Sequence, residues 1–246
     1  MKPLSRGRYI ARLAEAEADL VRAQRLRHLA FWAGRGRARA DGRDADGHDA
    51  LCRHVLIEDR VTGDLVACYR VQILAGAGLE RSYAAQFYDL ERLGRYPAPL
   101  LELGRFCLHP DRHDPDILRL AWALLTRMVD EAGVGMLFGC SSFPGAEPVR
   151  HAPALASLAR HLAPPVWQPG PRAPDRISLA GLVPAPVAPD LPPLLRSYLA
   201  MGGWVSDHAV IDAQMDTLHV LTAVEIATIP PARARILRMI AADALG

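Results

Sequence analysis

The sequence predicts a mixed α/β fold of the α+β kind, with a central sheet flanked by helices and a C-terminal extension. Three observations predict it. Half of the 246 residues are hydrophobic, enough for the packed core of one large domain. Four strand-length apolar runs, at 54–58, 65–74, 100–108 and 136–143, are spaced by segments that suit tight turns or helices. Residues 117–132 carry Ile117, Ala121, Leu124, Leu125 and Met128 on one helical face, the clearest amphipathic pattern in the chain.

From the N-terminus, residues 9–27 are expected to be helical, because Ala, Glu, Leu and Arg dominate them. Residues 34–47 are rich in Arg, Gly and Asp and read as a mobile loop. Residues 54–58 and 65–74 pair as strands across a turn containing Thr62-Gly63-Asp64. Residues 82–93 read as a helix and 100–108 as the third core strand. Asp114 is placed to cap the helix at 117–132, with Pro115 at its first position and Gly133 ending it. A buried strand at 136–143 and a helix at 152–162 follow. Residues 164–193 are proline-rich, with a short strand at 176–182. A helix at 192–201, paired strands at 205–211 and 218–226, and a closing helix at 231–245 complete the chain. Residues 1–163 are expected to form the core, and 164–246 a dependent part that completes the sheet and adds the closing helix.

Charge is unevenly distributed. Residues 1–43 hold eleven basic and four acidic side chains, a local charge of +7, which leaves −5 for the rest of the net +2. Such an end suits an acidic protein or an anionic lipid surface, and it suits a solvated arginine-rich face equally. No apolar run is long enough to span a bilayer, and the N-terminus lacks the apolar core of a secretory signal. The four cysteines form no CxxC pair, so no metal site is expected; they read as reduced packing residues of a cytoplasmic protein.

The informative stretch is LLELGRFCLHP at 100–110. Glu102 and Arg105 interrupt an apolar strand, and in a regular strand they point to opposite faces. A carboxylate and a guanidinium in such a run demand partners.

With ELGRFCLHPD at 102–111, LFGCSSFPG at 137–145 and LPPLLRSYLAMGGWVSDHAVID at 191–212, the chain resembles the GNAT acyltransferase superfamily. RAQRLRHLAFW at 22–32, DADGHD at 44–49 and LVACYRV at 65–71 extend the likeness. Within that superfamily it is similar to the bacterial ornithine N-acyltransferases that make lyso-ornithine lipid, distant relatives of the acyl-homoserine-lactone synthases. The resemblance implies a splayed central sheet, with the donor's acyl-pantetheine arm between the strands at 100–108 and 136–143. It implies amide formation between a 3-hydroxyacyl group on acyl carrier protein and the α-amine of ornithine. Glutamine or lysine as acceptor, or S-adenosylmethionine as in lactone synthesis, are the alternatives.

Carried over residue by residue, the resemblance marks Arg27 and Phe31 on the first helix and Asp46 and Asp49 after the loop. It also marks Arg70 on the second strand, and Glu102 and Arg105 on the strand that follows. Asp46, Asp49, Arg70, Arg27 and Phe31 are the candidate acceptor-binding residues, and Glu102 and Arg105 the catalytic pair. For Glu102, proton acceptor and organiser of the arginines both remain open. Phe106, Cys107, Ser141 and Ser142 are candidates for contact with the acyl and pantetheine groups, and no His stands at a spacing that would make Cys107 a nucleophile. Residues 110–117, PDRHDPDI, lack the glycine-rich pyrophosphate loop of CoA-dependent relatives, which favours a carrier-protein phosphopantetheine thioester as donor and no separate cofactor. Arginines 22, 25, 27, 35, 37 and 39 offer a docking face for an acidic carrier protein. Arg233, Arg235 and Arg238 raise contact with a membrane surface, against the plainer reading of a packed helix with exposed arginines. No nucleic-acid partner is expected.

Overall fold

The computed structural model describes residues 1–33, 36–183 and 190–244. In chain order it holds β1 (Leu4–Arg6), β2 (Tyr9–Leu13), α1 (Glu17–Phe31), β3 (Arg53–Asp59), β4 (Leu65–Leu74), β5 (Tyr88–Asp89) and β6 (Leu100–Leu108). There follow α2 (Pro115–Ala132), β7 (Met136–Pro144), α3 (Pro148–Leu158), β8 (Gly170–Pro171), β9 (Arg176–Ser178), α4 (Pro193–Ala200), β10 (Trp204–Asp212), β11 (Thr217–Glu225) and α5 (Pro231–Asp243). The mixed α/β reading holds. Two helical expectations do not.

Residues 9–27 are not one helix. Tyr9 and Ala11 are buried while Ile10 and Arg12 are only partly covered, a period of two that fits β2 and not a helix. Gly7, at φ 55°, turns β1 back onto β2, and α1 begins only at Glu17. Residues 82–93 are not helical either. They fold as short 3-10 turns around β5, because long-range bonds hold them. Glu102 accepts the N–H groups of Tyr83 and Ala84, and Tyr88 donates its hydroxyl to the His219 carbonyl. Such tertiary bonds override a modest helix preference.

The chain divides into two compact units. The first comprises Met1–Gln72, Leu103–Gly133 and Pro231–Gly246; the second comprises Ile73–Glu102 and Val134–Pro230. Residue 163 falls inside the second unit.

In the first unit the strand order is β1-β2-β3-β4-β6, and the pairs β1–β2, β2–β3 and β3–β4 are antiparallel. Leu56 pairs with Cys68, and Val55 with Tyr69. Alternation therefore sends Leu56 and Cys68 to one face, where they meet Ala23 and Leu26 of α1. Tyr69 goes to the other face and donates its hydroxyl to the Ala121 carbonyl of α2. The sequence signals of α2 are all present: the Asp114 side chain accepts from the Asp116 N–H at 2.9 Å, Pro115 occupies the first position, and Gly133 ends the helix at φ 61°. α5 packs on α2.

In the second unit the first three residues of β6 pair in parallel with β7, Leu100 with Met136 through Glu102 with Phe138. β7 pairs antiparallel with β11 over nine residues, and β11 with β10, which also pairs with β9. Leu221 and Ala223 of β11 pack into a cluster with Tyr88, Phe138 and Trp204; Leu218 and Val220 pack on the opposite face with Phe143 and Leu155. The helix expected at 152–162 starts four residues earlier, with Pro148 in its first turn, and the strand expected at 176–182 ends at Ser178.

Candidate active site

Gln24 and Arg27 lie three apart on α1, so both point to the same side, inward. Arg27 is 1% exposed. Its Nη1 and Nη2 donate to the two oxygens of Asp49, both at 2.8 Å, and its Nε donates to Asp44 Oδ2 at 3.0 Å. Its Nη2 also donates to the Asp44 carbonyl. Arg70 reaches the same carboxylates from β4. Its Nη1 donates to Asp46 Oδ1 at 2.6 Å and Asp49 Oδ1 at 2.7 Å, and its Nη2 to Asp46 Oδ2 at 2.9 Å. Arg105 of β6 donates from Nε to Asp44 Oδ2 and from Nη2 to Asp46 Oδ2, both at 3.1 Å.

Three guanidiniums thus interlock with three carboxylates, and their formal charges cancel. The carboxylates come from one irregular stretch. Asp46 caps a 3-10 turn, Gly47–Leu51, by accepting the His48 N–H, and Asp49 sits within that turn. The Gln24 Nε2 donates to Asp49 Oδ2 at 2.8 Å, the Trp32 indole N–H to Asp44 Oδ1 at 3.2 Å, and the His54 Nε2 to the Asp49 carbonyl at 2.9 Å.

Burial and ion pairing oppose each other throughout the network. Burial alone would raise the Asp49 carboxyl, yet Arg27, Gln24 and Arg70 outweigh it and hold it well below the usual carboxylate range. Asp46 is likewise lowered, burial being overcome by Arg70 and Arg105. Burial would lower Arg27, and Asp49 with Asp44 raises it. His54 is lowered, chiefly by burial, and stays neutral. The network has an inside and an outside. The side chains of Arg27, Arg70, Asp44 and Asp49 are 6% exposed or less, whereas Arg105 is 12% and Asp46 26% exposed.

β6 is irregular where it carries Arg105. That residue has φ 51°, the left-handed region that a long side chain rarely adopts. It breaks the strand's alternation and re-aims the adjoining peptide groups. Strain of this kind, on the order of 1–3 kcal/mol, persists where surrounding bonds fix the residue, and functional sites collect it. The Phe106 ring stacks on Tyr69 with centroids 5.5 Å apart. Cys107 is buried, its sulfur 3.6 Å from that of Cys68. The bond to Cys68, and then burial, push the Cys107 thiol well above its ordinary value, so it is a protonated packing group and not a thiolate. Phe31 packs, half-buried, against the cluster of Ala23, Leu26, Leu56, Cys68 and Cys107.

Glu102 is buried in the second unit, and each of its oxygens accepts a backbone N–H, from Tyr83 at 2.9 Å and Ala84 at 2.8 Å. Ser141 and Ser142 adjoin on β7 and pair with Val220 and His219 of β11; Ser141 is buried and Ser142 exposed.

Residues 26–123 match the model of the GNAT acetyltransferase domain. The chain is 31% identical to an L-ornithine N(alpha)-acyltransferase of Brucella abortus, covering 87% of this chain and 83% of that one. Identity to the enzyme of that name from Rhizobium meliloti is 31%, over 89% of this chain and 80% of the other. The chain belongs to the L-ornithine N(alpha)-acyltransferase family. It is an acyltransferase with a GNAT domain. Among solved structures, an N-acyl amino acid synthase from uncultured soil microbes overlaps 98% of this chain and 99% of its own at 11% identity, with a TM-score of 0.49.

For this family member the structure adds residues that sequence reasoning passed over. Asp44 touches Arg27, Arg105 and Trp32 at once, and Gln24 and His54 brace Asp49. The signal for Asp44 was present, since it opens the DADGHD stretch, but three acids in six residues gave no means of ranking them. Of the arginines read as a docking face, Arg27 points inward and Arg22 is held by Glu58, while Arg37 and Arg39 lie over the Trp32 ring at 5.3 Å. Arg35 lies outside the described residues.

Proposed function

We propose that this acyltransferase moves a 3-hydroxyacyl group from the phosphopantetheine thioester of acyl carrier protein to the α-amine of ornithine. The observation that carries this reading is the relationship to ornithine acyltransferases over nearly nine-tenths of the chain, joined to a site with both charges of an amino acid represented.

Ornithine brings one carboxylate and two amines. The outer members of the network suit both. Asp46, the most exposed of the three acids, takes the side-chain ammonium, and Arg105 turns its guanidinium to the carboxylate. Arg27, Asp44 and Asp49 act through those two as positioning residues, because each holds a partner in place without being open to solvent itself. The α-ammonium gives a proton to Glu102, directly or through water. The freed nitrogen attacks the thioester carbonyl, a backbone N–H near Arg105 supports the oxyanion, and the C–S bond breaks as the C–N bond stands. The adduct nitrogen gives its second proton to the departing pantetheine sulfur, leaving a neutral amide and a thiol, and Glu102 releases the first proton to water, so the enzyme ends unchanged and no cofactor is required. Phe106 and Cys107 are proposed to line the acyl path, and Ser141 and Ser142 to hydrogen-bond the pantetheine amides.

The test is mass spectrometry of products from purified protein, 3-hydroxyacyl-carrier protein and an equimolar mixture of ornithine, glutamine and lysine. Acyl-ornithine as the main product supports the reading. Acyl-glutamine or acyl-lysine overturns the acceptor, and no amide from a loaded donor overturns the donor.

A further inference from the structure

The closing helix α5 carries apolar residues on both its covered and its outward side, more than a helix that merely covers the core requires. Ala234, Leu237, Ile240 and Ala244 form the covered stripe of the segment, the one that packs toward α2. At 100° per residue, Ala232, Ile236, Met239 and Ala242 fall on the opposite side, and Ile236 and Met239 are each 56% exposed. Arg233 flanks Ile236 on one side; on the other, Arg235 falls between Met239 and Ala242, and Arg238 lies beyond Ala242. Arg238 is tied to Asp130 of α2 at 2.9 Å, leaving Arg233 and Arg235 as exposed cations on either side of Ile236 and Met239; Asp243, in the last turn, is the helix's one acid and falls on the same outward side. Pro231, Ala234, Arg235, Arg238, Met239 and Ala242 border a shallow open depression.

An exposed apolar stripe bordered by arginines matches a surface with negative headgroups over hydrocarbon. Among the described residues no helix is long and apolar enough to cross a membrane, so contact of this kind lies in the plane of the bilayer. We infer that α5 is an interfacial helix that seats this protein on an anionic membrane, with Ile236 and Met239 inserted among the lipids and Arg233 and Arg235 on phosphates. The inference stands apart from the choice of acyl donor and acceptor.

The experiment is co-sedimentation of the full chain with vesicles of phosphatidylcholine alone and of phosphatidylcholine mixed with phosphatidylglycerol. Binding is expected to the mixed vesicles and to weaken with added salt. Ile236→Asp with Met239→Asp is expected to lower partition about tenfold or more, and Arg233→Gln and Arg235→Gln about fivefold each. All four positions are exposed, so unchanged circular dichroism and unfolding midpoints accompany the losses. Equal binding to both vesicle types, absence of binding, or variants that bind like the parent protein overturn the inference. So does a concentration-dependent dimer, or a complex with acyl carrier protein, that the Ile236→Asp/Met239→Asp protein no longer forms.

Discussion

Removing the charge of Asp49 and that of Asp46 is expected to have very different consequences, although both are aspartates bound to arginines. Asp49 Oδ1 accepts Arg27 Nη1 and Arg70 Nη1, and Oδ2 accepts Gln24 Nε2 and Arg27 Nη2. In Asp49→Asn the new amide NH2 faces two donors whichever way it is turned. Arg27 and Arg70, 1% and 2% exposed, also lose a counter-charge where water cannot replace it. Breaking a buried pair of this kind costs about 3–5 kcal/mol. Asp46 is 26% exposed, and both of its arginines keep another partner: Arg70 keeps Asp49 at 2.7 Å and Arg105 keeps Asp44 at 3.1 Å. Asp46→Asn is therefore expected to cost about 1 kcal/mol. Urea titration followed by tryptophan fluorescence reads the difference. With a slope on the order of 2 kcal/mol per molar, Asp49→Asn lowers the midpoint by about 1.5–2.5 M and Asp46→Asn by about 0.5 M. Equal shifts, or a larger one for Asp46→Asn, would refute the division into an inner and an outer part.

Asp46→Asn is expected to act on the acceptor instead, raising the KM for ornithine at least about tenfold at a nearly constant kcat, and an unchanged KM removes Asp46 from the acceptor site. Glu102→Gln sets an amide NH2 against the N–H of Tyr83 or Ala84, so a stability loss of about 1–3 kcal/mol is expected alongside loss of turnover. If Glu102 accepts the proton, the acid limb of the pH–rate profile disappears in that variant; an intact limb assigns Glu102 to structure alone. Arg105→Gly is expected to be more stable than Arg105→Ala by about 1 kcal/mol, because glycine adopts φ 51° freely, and both lose acceptor affinity; a less stable glycine variant denies the strain. Stability is expected to fall on acidification in two stages. Folding lowers His54 below its unfolded value near 6.5, so from there downward the unfolded chain binds a proton that the native chain refuses. Asp19 and Asp49, both lowered, hold stability that is present above about pH 4 and lost as the pH falls further. His54→Gln should flatten the first stage in denaturation midpoints measured across pH, and a profile identical to that of the parent chain refutes the assignment.

The parts of this fold that sequence reasoning found are those whose signals are local. Asp114, Pro115 and Gly133 bracket α2 because capping is settled within a few residues. β4 and β6 are mostly apolar runs of strand length, interrupted by Arg70 and Gln72 in the one and by Glu102 and Arg105 in the other. β2 is not legible in the sequence because Tyr9–Leu13 is one side of a short hairpin whose partners, Ser5 and Glu58 among them, are invisible in its composition. Residues 82–93 depart from the helix that their composition predicts because their conformation is dictated by Glu102 and His219, up to 131 residues away. The site followed the same rule. Arg27, Asp46, Asp49, Arg70 and Arg105 were named from a family likeness, and the structure brings these five into one network. Periodicity alone had no means of finding that network, since the five stand on a helix, a 3-10 turn and two strands. The partners that Glu102 and Arg105 demand come from outside their strand: Arg105 pairs with Asp44 and Asp46, and Glu102 receives two peptide N–H groups.

The charge balance changes what acceptor recognition can mean here. Asp46 and Asp49, as an acceptor-binding pair, would carry surplus negative charge if no cation faced them. In the structure three arginines already match three aspartates, so no such surplus exists within the network. On the proposed placement of the acceptor, binding would be an exchange: its ammonium would take Asp46 partly from Arg70 and Arg105, and its carboxylate the guanidinium so released. Arg70 would keep Asp49 and Arg105 would keep Asp44, so each half of the exchange would weaken the pairing of the group it releases without abolishing it. A ligand with only one of the two charges gains one contact and breaks another. On that reading a neutral network favours amino acids over simple amines or carboxylic acids, because only a partner carrying both signs replaces each contact that it breaks.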